Sequence, residues 1–97
     1  MPAASLAVKS ISADYTVSLS DTALLVNAGS GGVTVTLPPV GTIGRGRFFI
    51  VKKVAGIGSV TVDASGSETI DGSLTSTIST LWSTLMLLSD GAQWFLV

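Results

Sequence analysis

The sequence contains no cysteine and no histidine, and these two absences exclude much of catalytic and metal chemistry. Without cysteine there are no disulfides, no thiolate nucleophile and no cysteine-bound zinc or iron–sulfur cluster. Without histidine there is neither a Ser-His-Asp triad nor a histidine-ligated metal. The sequence therefore predicts no catalytic residues, no metal site and no cofactor.

Charge is scarce as well, since only 11% of the residues are charged, against about 25% in ordinary soluble domains. The net charge is −1 and the isoelectric point is about 4.9, so no basic field is available to hold phosphates. We therefore expect no binding to nucleic acid. The basic cluster formed by Arg45, Arg47, Lys52 and Lys53 is interpreted as a solvated strand end rather than a phosphate site.

Long apolar runs are missing, although the mean hydropathy is high at +0.65. The longest apolar stretches, residues 48–51 and 85–88, contain four residues each. A membrane-spanning helix needs about 20. We therefore expect no membrane insertion.

The chain instead alternates apolar and polar residues in short segments that are separated by Gly, Ser, Asp and Asn. About a quarter of the residues are Ser or Thr, and threonine suits strands because its branched Cβ packs well on a pleated surface. The alternation predicts strands at 15–19, 23–27, 33–37, 47–54, 60–64, 74–78, 83–88 and 94–97. We predict an all-β fold, an antiparallel β-sandwich or jelly-roll-like barrel of about eight or nine short strands.

The chain is predicted to contain one domain, because no change of composition marks a linker and 97 residues suit a single core. Residues 1–11 are interpreted as an N-terminal arm and residues 12–97 as the β-domain.

Two of the predicted strands, 47–54 and 83–88, carry apolar side chains at both alternating sets of positions. Such strands need cover on both faces, and the core of a sandwich covers only one of them. Since 97 residues leave little material for a third layer, we favour a contact with another subunit. The candidate residues of this intersubunit face are Phe49, Val51, Met86 and Leu88, although either face of the strands could be the inner one.

Three carboxylates, Asp63, Glu68 and Asp71, lie within nine residues and invite comparison with a calcium site or an acid–base pair. Their spacing lacks the pattern of a calcium-binding loop, so we interpret this segment as a turn-rich loop. A small hydrolase that uses Glu68 and Asp71 is the least favoured alternative.

The two tryptophans differ in their surroundings. Trp94 shares a predicted strand face with Leu96, which favours a place in the core. Trp82 precedes a strand and is the candidate for exposure, where its ring could stack on a sugar as a glycan contact.

Several short motifs follow one another in a fixed order along the chain. They are YTV at 15–17, LVN at 25–27, SGGVTVTLP at 30–38, GRFFIVKK at 46–53, VTVD at 60–63, ETIDG at 68–72 and LSDGAQWFLV at 88–97. In this order they resemble a β-module of tailed-phage virion proteins, which occurs in tail fibres, head fibres and small capsid-decorating proteins. The resemblance covers about residues 12–97.

The resemblance implies an all-β domain that trimerises on the outside of a phage particle and has no enzymatic activity. Because the sequence begins at Met1 with about a dozen residues before the module, we favour a decoration protein over a module of a longer fibre. The expected function is a cement or head-fibre protein that binds the major capsid protein, or another virion protein, and stabilises the head shell as a homotrimer. It would be made in the host cytoplasm and end on the virion surface.

Two further expectations depend on the same resemblance. Leu6, Val8 and Ile11 in the arm are candidate capsid contacts, with a disordered terminus as the alternative. The alternative function is a tail-fibre or receptor-binding module that recognises host cell-surface glycan through Trp82.

Overall fold

The computed structural model describes residues 7–97, which fold into two β-sheets and one helical turn. The strands are β1 (Val8–Ile11), β2 (Tyr15–Thr16), β3 (Ala23–Asn27), β4 (Val33–Thr36), β5 (Arg45–Ala55), β6 (Val60–Asp63), β7 (Thr75–Ile78), β8 (Thr84–Asp90) and β9 (Trp94–Leu96). The helical turn is α1 (Val40–Ile43). Within the described residues, no helix is long and apolar enough to cross a membrane.

The first six strands alternate between the two sheets. One sheet has the order β1-β3-β5-β8-β9 and the other has the order β2-β4-β6-β7. As a result β1, β3 and β5 pair in parallel, as do β2, β4 and β6, while β7, β8 and β9 add in antiparallel fashion. The all-β prediction is confirmed, whereas the antiparallel pairing is wrong for four of the seven strand pairs.

The parallel pairing has a simple cause in the path of the chain. Two parallel neighbours cannot be joined by a hairpin and need a crossover connection. Here the crossover is the intervening strand in the opposite sheet, so that β2 connects β1 with β3 and β4 connects β3 with β5. Apolar and polar residues alternate with the same period in parallel and antiparallel strands. The sequence pattern therefore could not distinguish parallel from antiparallel pairing.

Strand β1 lies within residues 1–11, the segment that the sequence analysis interprets as an N-terminal arm. Val8 to Ile11 pair residue by residue with Ala23 to Val26 of β3. Ile11 is partly buried against the core, and the segment 8–11 forms an edge strand of the five-stranded sheet.

Both sheets contribute to one hydrophobic core. Trp94 and Phe49 are its largest buried side chains, with ring centroids 5.6 Å apart and planes inclined by 41°. Valines of the four-stranded sheet pack opposite them in the same cluster. The prediction that Trp94 lies in the core is confirmed.

Two crossover loops touch through their backbones, and this contact requires glycine. A Cβ at Gly58 would lie 2.3 Å from the backbone nitrogen of Gly32, which is closer than any real contact. The Gly58 N–H also donates a 2.8 Å hydrogen bond to the carbonyl of Gly29. The glycines therefore hold loops 28–32 and 56–59 side by side at one end of the sheets.

Candidate functional site

The outward surface of the five-stranded sheet carries two apolar rows, which the register of its strands identifies, beside a third row that contains Ser10, Lys52 and Thr84. One row runs across β1, β3, β5 and β8 to Val97, directly after β9, and a second, shorter row lies beside it. We call these two rows the apolar face; they contain Val8, Ala23, Ile50, Met86 and Val97, and Phe48, Leu88 and Phe95. Met86 and Phe95 remain 38% and 41% exposed.

The same register corrects the predicted intersubunit residues. Phe49 and Val51 are 1% and 0% exposed and point into the core of their own chain together with Leu87. Met86 and Leu88 lie on the opposite side of the sheet, because successive side chains of a strand point to opposite faces. The four predicted residues therefore do not form one surface, and the outward partners of Met86 and Leu88 are Ile50 and Phe48.

The outward surface of the four-stranded sheet has a very different composition. Val35 and Val62 point into the core, so the alternate positions point outward. We call this surface the threonine face; its residues are Thr16, Thr34, Thr36, Thr61, Asp63, Thr75 and Thr77. Such a surface is what a sheet with one solvated face normally shows.

The residues predicted for the arm are separated by the fold. Val8 is exposed and begins the long row of the apolar face, whereas Ile11 packs against the core. Leu6 lies outside the described residues. Of the two described residues, Val8 lies on the candidate surface and Ile11 does not.

The three carboxylates of the segment 63–71, which the sequence indicates to be a turn-rich loop, make separate contacts in the fold. Both oxygens of Glu68 accept the Val40 N–H, at 3.1 and 3.2 Å, at the start of α1. Asp71 accepts the Leu96 N–H at 3.2 Å, and Asp63 lies on the threonine face. Within residues 7–97 no three acidic residues come close enough to hold a metal ion.

Asp21 is the buried carboxylate of the described chain, and it anchors the connection between β2 and β3. It accepts hydrogen bonds from the Tyr15 hydroxyl and from the Ser18 N–H, the latter at 2.9 Å. Burial raises the pKa of Asp21, but the hydrogen bonds from Tyr15 and Ser18 outweigh it, so the pKa lies below its ordinary value. The same hydrogen bond raises the pKa of Tyr15. This arrangement stabilises the connection between β2 and β3.

The basic residues of β5 do not form a cluster. Arg47 donates to the backbone carbonyls of Leu19 and Asp21 at one end of the strand. Lys53 lies six residues further along, about 20 Å away, and is buried. The interpretation of these residues as a solvated strand end is therefore wrong for Lys53. Its Nζ donates a hydrogen bond to the Ser79 carbonyl at 3.3 Å.

Trp82 is 60% exposed, as the sequence predicted, and its backbone has a φ of +72°. An L-residue in this left-handed region costs about 1–2 kcal/mol. Three hydrogen bonds hold the residue there. The Trp82 N–H donates to the Lys53 carbonyl at 2.9 Å, and Lys52 Nζ donates to the Trp82 carbonyl at 2.6 Å. The third closes the loop, where the Ser83 N–H donates to the Thr80 carbonyl at 3.1 Å. The loop thus holds the backbone of Trp82 in place and exposes the indole ring to solvent.

Four connections between the sheets meet at the end of the molecule that carries Trp82. They are residues 12–14, 28–32, 56–59 and 79–83, and we call this region the crossover end. It contains an open pocket whose lining is largely polar, formed by Asp14, Ser30, Gly31, Gly32, Val33, Thr34, Ile57, Gly58, Ser59 and Thr61.

Comparison of the chain with protein-family models, with curated proteins and with solved structures finds no match.

Two parts of these surfaces were missed by the sequence prediction. Phe48 and Ile50 were recognised as apolar, but only the pairing of β5 with β8 shows that they share a face with Met86. Asp14, Ser30 and Ser59 come together from three separate connections, and no local spacing in the sequence connects them.

Proposed function

We propose that the protein is a non-enzymatic structural subunit of a phage particle, a decoration protein that binds and stabilises the head shell as a homotrimer on the virion surface. In this proposal the two sheets form a sandwich, and the apolar face is buried between copies of the chain. The observation that carries the proposal is the apolar face itself, because large exposed apolar patches on soluble proteins mark interaction surfaces.

The contrast between the two outward surfaces supports this assignment. Both sheets pack their inner sides into the same core, so the core does not explain why one outer side carries two apolar rows and the other is lined with threonine. A face that stays in water is expected to be polar, as the threonine face is. A second copy of the chain fits the apolar face because such a contact joins apolar rows that need no charged partner.

The hydrogen bonds of three carboxylates support a non-enzymatic role. Glu68 and Asp71 accept hydrogen bonds from backbone N–H groups, and Asp21 is held by Tyr15 and Ser18. These carboxylates stabilise loops and leave no paired acid and base facing a cleft.

Shell stabilisation would follow from binding alone. A protein that binds the assembled shell and not its free subunits stabilises the shell by mass action. Three equivalent contacts in one trimer would add to one another through their high effective concentration. Weak contacts per subunit would then be sufficient.

Imaging of particles that contain or lack the protein tests the proposal. We expect extra density on the head, arranged with threefold symmetry, and a lower temperature of head disruption when the protein is absent. The variant Met86→Lys places a charge on the apolar face and should lose head binding. The control Thr77→Lys places the same charge on the threonine face and should retain it. Density on the tail alone, or heads that bind Met86→Lys normally, would contradict the proposal.

A further inference from the structure

The pocket at the crossover end opens onto the threonine face, because Thr34 and Thr61 contribute to its wall. Its volume is about 430 Å³, and Asp14 is the only charged residue in its lining. Asp14 Oδ1 accepts the Thr34 N–H at 2.8 Å, whereas Oδ2 has no hydrogen-bond partner in residues 7–97. The pocket therefore presents one carboxylate oxygen that the fold holds in place but does not use.

Backbone hydrogen bonds join the walls of this pocket. The Gly58 N–H donates to the Gly29 carbonyl at 2.8 Å. The Val33 N–H donates to the Ser59 carbonyl at 3.0 Å, so two hydrogen bonds connect the two neighbouring loops. A pocket whose walls are already in place loses little conformational freedom when a ligand binds.

Three hydroxyl groups lie in the same pocket, on Ser30, Ser59 and Thr61. None of them forms a hydrogen bond to another residue of the described chain. A hydroxyl oxygen has two lone pairs and can accept hydrogen bonds from a ligand. Together with Asp14 Oδ2, these groups make the pocket rich in unused hydrogen-bond acceptors.

The charges around the pocket favour a cationic ligand. No basic residue lines the pocket, and the threonine face beside it carries Asp63 and no lysine or arginine. Asp63 lies two residues beyond Thr61 in β6, about 7 Å further along the strand. Lys52 and Lys53 donate through Nζ to backbone carbonyls of the connection 79–83. An anionic ligand would therefore meet negative charge without a counterion.

The lining distinguishes an organic cation from a metal ion. A calcium ion takes about six to eight oxygen ligands, and within residues 7–97 no three acidic residues come close enough to hold a metal ion. Ile57 is part of the lining and is 87% exposed, so an aliphatic stem can cover it. Arginine joins such a stem to five N–H donors and has no acceptor. It therefore matches several separate acceptors better than the point charge of lysine does.

We propose that this pocket binds an arginine side chain that a partner protein presents. The guanidinium donates to Asp14 Oδ2 and to the hydroxyls of Ser59 and Thr61, and the stem packs on Ile57. The site goes beyond the proposed function and does not depend on it, because it lies at the crossover end and the threonine face, away from the apolar face.

Titration of the full chain with Nα-acetyl-arginine methylamide, followed by NMR, tests the site directly. We expect saturable shifts of the amides of Ser30, Thr34 and Ser59, with a Kd of about 5–20 mM. The citrulline analogue keeps the length without the charge, and the lysine analogue keeps the charge on a single nitrogen. Each analogue should bind at least about fivefold more weakly. Shifts at none of these amides with the arginine compound, or an analogue that binds as tightly, would overturn the proposal.

Substitutions in the pocket provide the second measurement. Asp14→Asn removes the charge but keeps an oxygen for the Thr34 N–H, so the variant should fold. We expect it to bind the arginine compound at least about fivefold more weakly. Ser59→Ala removes one hydroxyl from an exposed residue and should weaken binding about threefold. The matched control Asp63→Asn removes the same charge outside the pocket and should change the affinity by less than about 1.5-fold at about 0.15 M salt.

Two outcomes would assign the binding to another cause. Affinity that falls as much in Asp63→Asn as in Asp14→Asn would indicate general attraction between charges. Binding that is lost in Met86→Lys, whose substitution lies on the outward side of the other sheet, would indicate that the shifts report association between copies. Either result would overturn the arginine pocket. Arginine binding that is retained by a protein that does not assemble would support the site and contradict only the proposed function.

Discussion

Met86 and Leu87 are neighbours in β8 that point to opposite sides of the same sheet, and their replacement by alanine gives the sharpest local prediction. Leu87 is fully buried in the core of the chain. Met86 is 38% exposed on the apolar face. We expect Leu87→Ala to weaken the folded subunit itself, and Met86→Ala to weaken mainly its association with other copies.

The sizes of the two effects follow from burial. Removing a fully buried leucine side chain costs about 3–5 kcal/mol, which for a domain of this length lowers Tm by about 12–40 °C. A methionine buries side-chain surface worth about 1.5–3 kcal/mol when fully covered. Part of that surface is covered within the subunit, so we expect Met86→Ala to cost about 1 kcal/mol in the isolated chain and more once a neighbouring copy covers it.

Urea unfolding at low and high protein concentration measures both effects. The free-energy change for Leu87→Ala should be nearly the same at both concentrations, because the side chain is buried in every state of assembly. The change for Met86→Ala should grow with concentration, since only the associated protein covers this side chain fully. A Met86→Ala effect as large as that of Leu87→Ala and independent of concentration would refute the assignment of the two faces.

Three further predictions test individual features of the fold. Gly58→Ala should destabilise the protein by more than about 2 kcal/mol in urea unfolding, because its Cβ would overlap the backbone of Gly32; a smaller loss would contradict the packing of the two loops. Trp82→Gly should be more stable than Trp82→Ala by about 1 kcal/mol, the reverse of the usual order, because φ is positive there; equal thermal stability of the two would argue against the strained backbone. Asp21→Asn should destabilise the protein at pH 7, and the difference in unfolding free energy between this variant and the native chain should shrink below about pH 4. The pKa of Asp21 is lowered in the folded state, so its stabilising contribution is present above the unfolded-state pKa and is lost as the carboxylate becomes protonated. A free-energy difference that does not change between pH 7 and pH 3 would contradict the role of the ionised carboxylate.

The strands were predictable because alternation and turn residues are local signals. The segments 23–27 and 60–64 were predicted within one residue of β3 and β6. Strand β1 was missed because its residues, Val8 to Ile11, are mostly exposed at a sheet edge and show little apolar alternation.

The pairing of strands was not predictable, and the candidate surfaces depend on it. Phe49 and Met86 both belong to strands that carry apolar residues on both faces. The sequence therefore does not show whether these two side chains lie on the same face of the sheet or on opposite faces. Their sides are decided by the register, in which Ile50 pairs with Met86 and Phe49 pairs with Leu87. The pocket depends in the same way on the parallel order of the connections, which brings Asp14 to Ser59 across 45 residues of sequence.

Sedimentation equilibrium over a wide range of protein concentrations tests the central claim, that the apolar face joins copies of the chain. The native protein should reach a mass of about 29 kDa, three times the 9.8 kDa of one chain. Met86→Lys should remain near 9.8 kDa under the same conditions, and Thr77→Lys should assemble like the native protein. A native protein that stays at 9.8 kDa at every concentration, or a Met86→Lys variant that still forms trimers, would contradict the claim.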